Sequence, residues 1–111
     1  MRPDIFQSLL DIDDALIDWV LCASPDDDDD RAQMRQVLGA RSDVEKALNT
    51  LVAHRMKLAS RDLADDAVEL RKVADDLAKV DQDIAAVANV LGLAGQAVDI
   101  AAKVIATVIT L

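Results

Sequence analysis

The 111-residue sequence is poor in nearly everything that carries chemistry: it has one Cys, one His, one Trp, one Phe and no Tyr. A single cysteine, Cys22, excludes an internal disulfide and fits a reducing compartment. His54 stands without Cys, His or carboxylate at metal-ligand spacing, so it reads as a solvated helix-face residue. One histidine in a helical chain also excludes a recognisable Ser-His-Asp or Cys-His set. The carboxylate pairs Asp65 with Asp66 and Asp75 with Asp76 are sequence neighbours. On a helix they point in different directions and cannot share a substrate as paired acids do. The chain is therefore read as a non-enzyme with no cofactor and no metal.

Glycine and proline are equally scarce, three and two residues, and both prolines fall within the first 25 positions. Everything after Pro25 can be helical. Aromatics make up 2% of the chain while 52% is hydrophobic, so the core must be built from Ala, Val, Leu and Ile. Met1-Arg2-Pro3-Asp4 leads into an Asp-studded segment without an apolar signal region, which predicts a cytoplasmic protein. No long hydrophobic run exists either. The longest charge-free stretch near the C-terminus, 84–98, has 15 residues, short of the roughly 18 that an ordinary membrane span needs.

A net charge of -9 shows that basic excess is absent, and its distribution is uneven. Residues 1–30 hold ten Asp against Arg2, residues 31–83 hold ten acids and ten bases, and residues 84–111 hold only Asp99 and Lys103. An acidic chain of this kind is repelled from nucleic acid and from anionic lipid, and it suits a basic protein partner.

What the sequence does have is a stripe. From 70 to 108, apolar residues recur at steps of four and three: Val73, Leu77, Val80, Ile84, Val87, Leu91, Ala94, Val98, Ala101, Ile105 and Val108. That spacing keeps one narrow line of side chains on one side of a helix, useful only when another helix covers it.

Ahead of it, residues 3–22 read as an amphipathic helix started by Pro3. Asp4, Gln7, Asp11, Asp14 and Asp18 lie on one face; Ile5, Phe6, Leu9, Ile12, Leu16, Trp19 and Val20 lie on the other. Phe6 and Trp19 are the natural anchors of this helix, as core aromatics first and as interface contacts second. Ser24, Pro25 and the carboxylates after them predict a helix start at Ser24. The run from Asp26 to Asp30 lacks the alternating ligands and the Gly of a calcium loop and is read as a solvated acidic corner. Gly39 predicts the end of that helix, and Ser42 with Glu45 predicts a capping box that restarts the chain. The segment 37–48 has the spacing of a helix-turn-helix corner. Its second helix, however, opens with Asp43 and Glu45 where a DNA reader needs Arg, Lys, Asn or Gln.

From Ser42 no breaker occurs before Gly92, which predicts a third helix over 42–91, with a phase shift at residues 59–62 that marks a kink or break. Gly92 and Gly95 predict a hairpin, although the unbroken heptad phase would also suit a continuous helix. The last helix, 95–111, carries a thin polar line of Gln96, Asp99, Lys103, Thr107 and Thr110 and is otherwise apolar.

The resulting expectation is an all-α protein, a single helical domain over 1–111. It is an elongated helical bundle or hairpin with acidic N-terminal helices over 3–38, a long central helix and coiled-coil-like packing. Its expected function is helix-mediated association as an oligomerisation module, adaptor or chaperone-like partner. A protein partner or homo-oligomer would be held through Phe6, Trp19, Val73, Leu77, Val80, Ile84, Val87, Leu91, Val98, Ile105 and Val108. The alternative expectation is a helical hairpin that meets lipid through residues 84–111.

Overall fold

The computed structural model describes residues 4–111, and among these the only regular elements are helices. Four α-helices form it: α1 (Ile5–Cys22), α2 (Asp28–Val52), α3 (Ala64–Ala78) and α4 (Val87–Thr110). Short 3-10 turns at Arg55–Ala59 and Arg61–Leu63 join α2 to α3, and another at Ile84–Ala86 leads into α4.

The capping chemistry decides where each helix begins. Asp4 accepts from the backbone N–H of Phe6 at 2.8 Å and of Gln7 at 3.2 Å, and so starts α1. The expected start at Pro3 lies outside the described residues. For α2 the start at Ser24 is displaced into the Asp run. Asp27, in extended conformation, accepts from the N–H of Asp30 at 2.8 Å, while the Asp30 carboxylate accepts from the N–H of Asp26 at 2.9 Å. The acidic corner is thus a reciprocal cap at the positive end of the α2 dipole.

Helix α2 does not stop at Gly39, and the capping box at Ser42 does not form. Gly39 keeps a negative φ on the exposed side of the helix. The opposite face, Val37, Val44, Ala47, Leu48 and Leu51, is buried without a phase change. One glycine costs a helix about 1 kcal/mol, less than burying a single one of those side chains contributes. Glu45 turns to Arg41, one helical turn back, at 2.8 Å.

The central helix expected over 42–91 is instead broken twice. The phase shift at 59–62 is a true break, where Ser60 accepts from the N–H of Asp62 at 3.2 Å and opens the approach to α3. The second break, at residues 79–83, contains neither Gly nor Pro. There Asp83 accepts from the N–H of Ala85 at 3.2 Å, and the Trp19 indole N–H donates to the Asp81 carbonyl at 3.1 Å. The heptad stripe therefore bends back on itself. The hairpin expected at Gly92 and Gly95 is absent, because α4 runs through both with negative φ.

Cross-helix contacts give the arrangement. Helix α1 lies beside α2 and α3, and α4 lies beside the same two, so α1 and α4 occupy one diagonal. Asp11 meets Arg71 and Trp19 meets Asp81, so α1 and α3 run parallel. Phe6 meets Arg55 and Asp13 meets Arg41, so α2 runs against α1; Lys103 acts on Asp66 while Asn89 and Leu93 lie beside Lys79 and Asp76, so α4 runs against α3. Two antiparallel hairpins thus lie side by side, joined by a diagonal crossing at the end of the bundle. The bundle measures 46 × 24 × 17 Å, its length set by α2 and α4.

Candidate functional site

The stripe residues divide between the inside and the rim of this bundle. Val73, Leu77, Val87 and Val108 are buried in the chain's own core. Val80, Ile84, Leu91, Val98 and Ile105 are half-buried and pack against that core from its edge. Trp19 is only 3% exposed, and its hydrogen bond to Asp81 fastens α1 to the α3–α4 turn. Phe6 is half-buried near the opposite end, where the Arg55 guanidinium stacks 4.6 Å from its ring centre. The structure thus places Leu91, Val98 and Ile105 along one side of α4, leaves Val80 and Ile84 in the α3–α4 connection, and sets the two aromatics in α1's own packing.

Sequence reasoning missed the line that faces solvent. On α4, Ala88, Gly92, Gly95, Asp99, Ala102, Ala106 and Ile109 are all exposed, and they follow one another at steps of four and three. Ile109 is 63% exposed. On α2, Arg35, Gly39, Ser42, Lys46 and Asn49 are exposed at the same steps. A Cβ added at Gly39, Gly92 or Gly95 would meet nothing within 4 Å. A shallow groove between the two helices brings Gly39, Asp43 and Lys46 of α2 beside Gly95, Val98 and Asp99 of α4. The signal for this line is the heptad spacing of small residues, which hydropathy alone does not register.

Charge separates this face from the opposite one. Helix α1 carries four aspartates and no base, and α3 carries five acids against two bases, whereas α4 has one of each. On the acidic side Arg71 is used internally, while Lys72 stays exposed. Arg71 reaches Asp11 at 2.7 Å and Asp75 at 3.2 Å, and its hydrogen bond holds the Asp11 carboxyl below the usual carboxylate range against the effect of burial. Arg41 Nε stands 3.2 Å from Asp13 Oδ1 as an ion pair without the alignment of a hydrogen bond. Burial pushes the Asp13 carboxyl upward, Arg41 opposes it, and Glu45 and Asp14 add to the rise. Asp66 is likewise raised by burial and by Glu69, with Lys103 pulling the other way.

Among the described residues, no group of three His, Cys, Asp or Glu is placed to hold a metal ion. A cleft of about 320 Å³ lies at the crossing end, walled by Leu58, Leu63 and Ala67 with Asp4, Arg55 and Ser60 at its edge. The Asp4 carboxylate is occupied by the α1 cap and the Ser60 hydroxyl by Asp62. The outer line of α4 is a ridge of small residues interrupted by Asp99 and ending at Ile109, flanked by the half-buried Leu91, Val98 and Ile105. No protein family, curated protein or solved structure matches this chain.

Proposed function

We propose that this protein is a non-enzymatic helical association module whose contact surface is the outer face of α4. The observation that carries the reading is the mismatch between the composition of α4 and its coverage. The segment Ile84–Thr110 has a mean hydropathy of 1.6, yet only 39% of its most apolar window is buried. Burying an apolar face against another helix in coiled-coil fashion contributes about 25 cal/mol per Å² removed from water. The acidic α1 and α3 surface supports selectivity, since it repels acidic partners and favours a basic one. Such a module serves as an oligomerisation unit, adaptor or accessory partner in the cytoplasm.

The test is the solution mass by light scattering across a hundredfold range of concentration. It compares the natural chain with a variant carrying Leu91→Ser, Val98→Ser and Ile105→Ser, with far-UV circular dichroism to verify helicity. The expected result is an assembly heavier than the 12.0 kDa chain, lost in the variant while helicity stays. An assembly unchanged in the variant would overturn the reading, as would a monomer at every concentration.

A second reading is favoured by one observation: Ile84–Thr110 is long and apolar enough to cross a membrane. Insertion would have to pull Val87, Val90, Ala94, Ala97, Val104 and Val108 out of the core. It would also carry Asp99 and Lys103 into lipid at about 3 kcal/mol each. Flotation with liposomes that depends on residues 84–111 is the outcome that would favour it.

A further inference from the structure

We infer that the cleft at the crossing end of the bundle is a binding site for a small amphipathic carboxylate of the medium-chain fatty acid class, with its chain in the cleft and its head group on Arg55. The site is built from α1, α3 and the turns between α2 and α3, and it shares no residue with the outer line of α4. Its inner walls are Leu58, Leu63 and Ala67, each at most 8% exposed, and Ala64 and Val68 continue them toward solvent. None of these side chains has a polar atom. The opening of about 320 Å³ falls at the small end of the range for ligand pockets.

The edge of the cleft decides the sign of the head group. Ser60 Oγ accepts from the Asp62 N–H and keeps its own proton to donate. Arg55 offers only N–H donors, and its stacking on Phe6 holds the guanidinium in place at the edge. It pairs with no carboxylate among the described residues, whereas Arg31, Arg41 and Arg71 are all paired. The Asp4 carboxylate at the same edge uses its Oδ1 on the N–H groups of Phe6 and Gln7, where the positive end of the α1 dipole compensates its charge. The connection 53–63 carries Arg55, Lys57 and Arg61 against Asp62 alone, in a chain whose net charge is -9. Charge complementarity therefore favours an anion here, and a carboxylate matches the guanidinium fork. An anionic bilayer is opposed by the charge of the whole chain, so the ligand is the free acid.

The experiment is isothermal titration calorimetry of the full chain with octanoate, decanoate, dodecanoate and decanol, each below its micelle concentration. Each added methylene tightens binding about threefold to fourfold until the cleft is full, after which the gain levels off. Arg55→Gln weakens decanoate by at least about tenfold and leaves decanol unchanged. Ala64→Leu, at an exposed lining position, weakens both ligands while far-UV circular dichroism stays the same. The absence of decanoate binding at millimolar concentration overturns the inference. So does decanoate bound equally by the natural chain and Arg55→Gln, or decanol bound as tightly as decanoate. Binding to vesicles of anionic phospholipid without binding to free decanoate overturns it as well.

Discussion

Replacing the three glycines by alanine should stabilise the fold and weaken the assembly. Gly39, Gly92 and Gly95 lie inside helices with negative φ, and an added Cβ meets nothing within 4 Å at any of them. Each substitution reduces the entropy of the unfolded chain without creating a clash, a gain of about 1 kcal/mol per site. Unfolding entropy for a chain of this size is on the order of 0.23 kcal/mol per kelvin, so each site raises Tm by about 4 °C and the three together by about 12 °C. The assay is thermal unfolding by circular dichroism at a fixed low concentration, since association would itself raise Tm by mass action. A fall in Tm for Gly92→Ala would refute the reasoning, because it would mean that the chain turns there and uses a conformation alanine resists. On the association surface proposed above the same methyl groups would raise the ridge, so the triple variant should also associate more weakly. A mutation that raises Tm and weakens association separates the requirements of the fold from those of the surface.

Trp19→Phe should destabilise by about 1–2 kcal/mol. It removes the 3.1 Å bond to the Asp81 carbonyl and leaves a smaller ring in a 3% exposed site, which chemical denaturation can measure. Arg71→Gln should lower stability near neutral pH by about 0.5–1 kcal/mol, modest because both partners of the ion pair are about a third exposed. The sign follows from Asp11, whose pKa is depressed in the folded state mainly by the hydrogen bond from Arg71. Its stabilisation is present above the unfolded value and is lost as pH falls through the folded one, so the variant should show a shallower acid decline below about pH 4.

The amphipathic pattern of α1 was legible because its apolar face is buried as spaced, from Ile5 through Leu9, Ile12 and Leu16 to Trp19, with Phe6 and Val20 half-buried at its edge. The break near residues 59–62 was legible from the phase shift. Glycine misled three times, at Gly39, Gly92 and Gly95, because a helix with enough buried surface on its far side overrides the propensity of one exposed residue. The turn at 79–83 escaped because it lacks Gly and Pro. Its signal was the pair Asp81 and Asp83 just before an apolar run, a helix-start pattern hidden by a heptad phase that continues across the turn. Which way the stripe would face was not legible. The stripe contributed Leu91, Val98 and Ile105 to the rim, while Val73, Leu77, Val87 and Val108 turned inward, and which side of a helix meets its neighbours is decided only by tertiary packing.

The geometry of a four-helix bundle explains why α4 is the element left over. In a square arrangement each helix has two adjacent neighbours, which cover about half of its circumference, so a helix suited to this position needs polar residues on the other half. Helices α1, α2 and α3 place their charges there. Helix α4 instead places Ala88, Gly92, Gly95, Ala102, Ala106 and Ile109 on its outermost line, with Asp99 the one charge among them. In a monomer the two exposed glycines weaken the helix by about 2 kcal/mol in all and return nothing. Against a second helix the same residues would lower the ridge and let backbones come together. A line that is a liability to an isolated chain and an asset beside another helix is the reason we propose the outer face of α4 as the association surface.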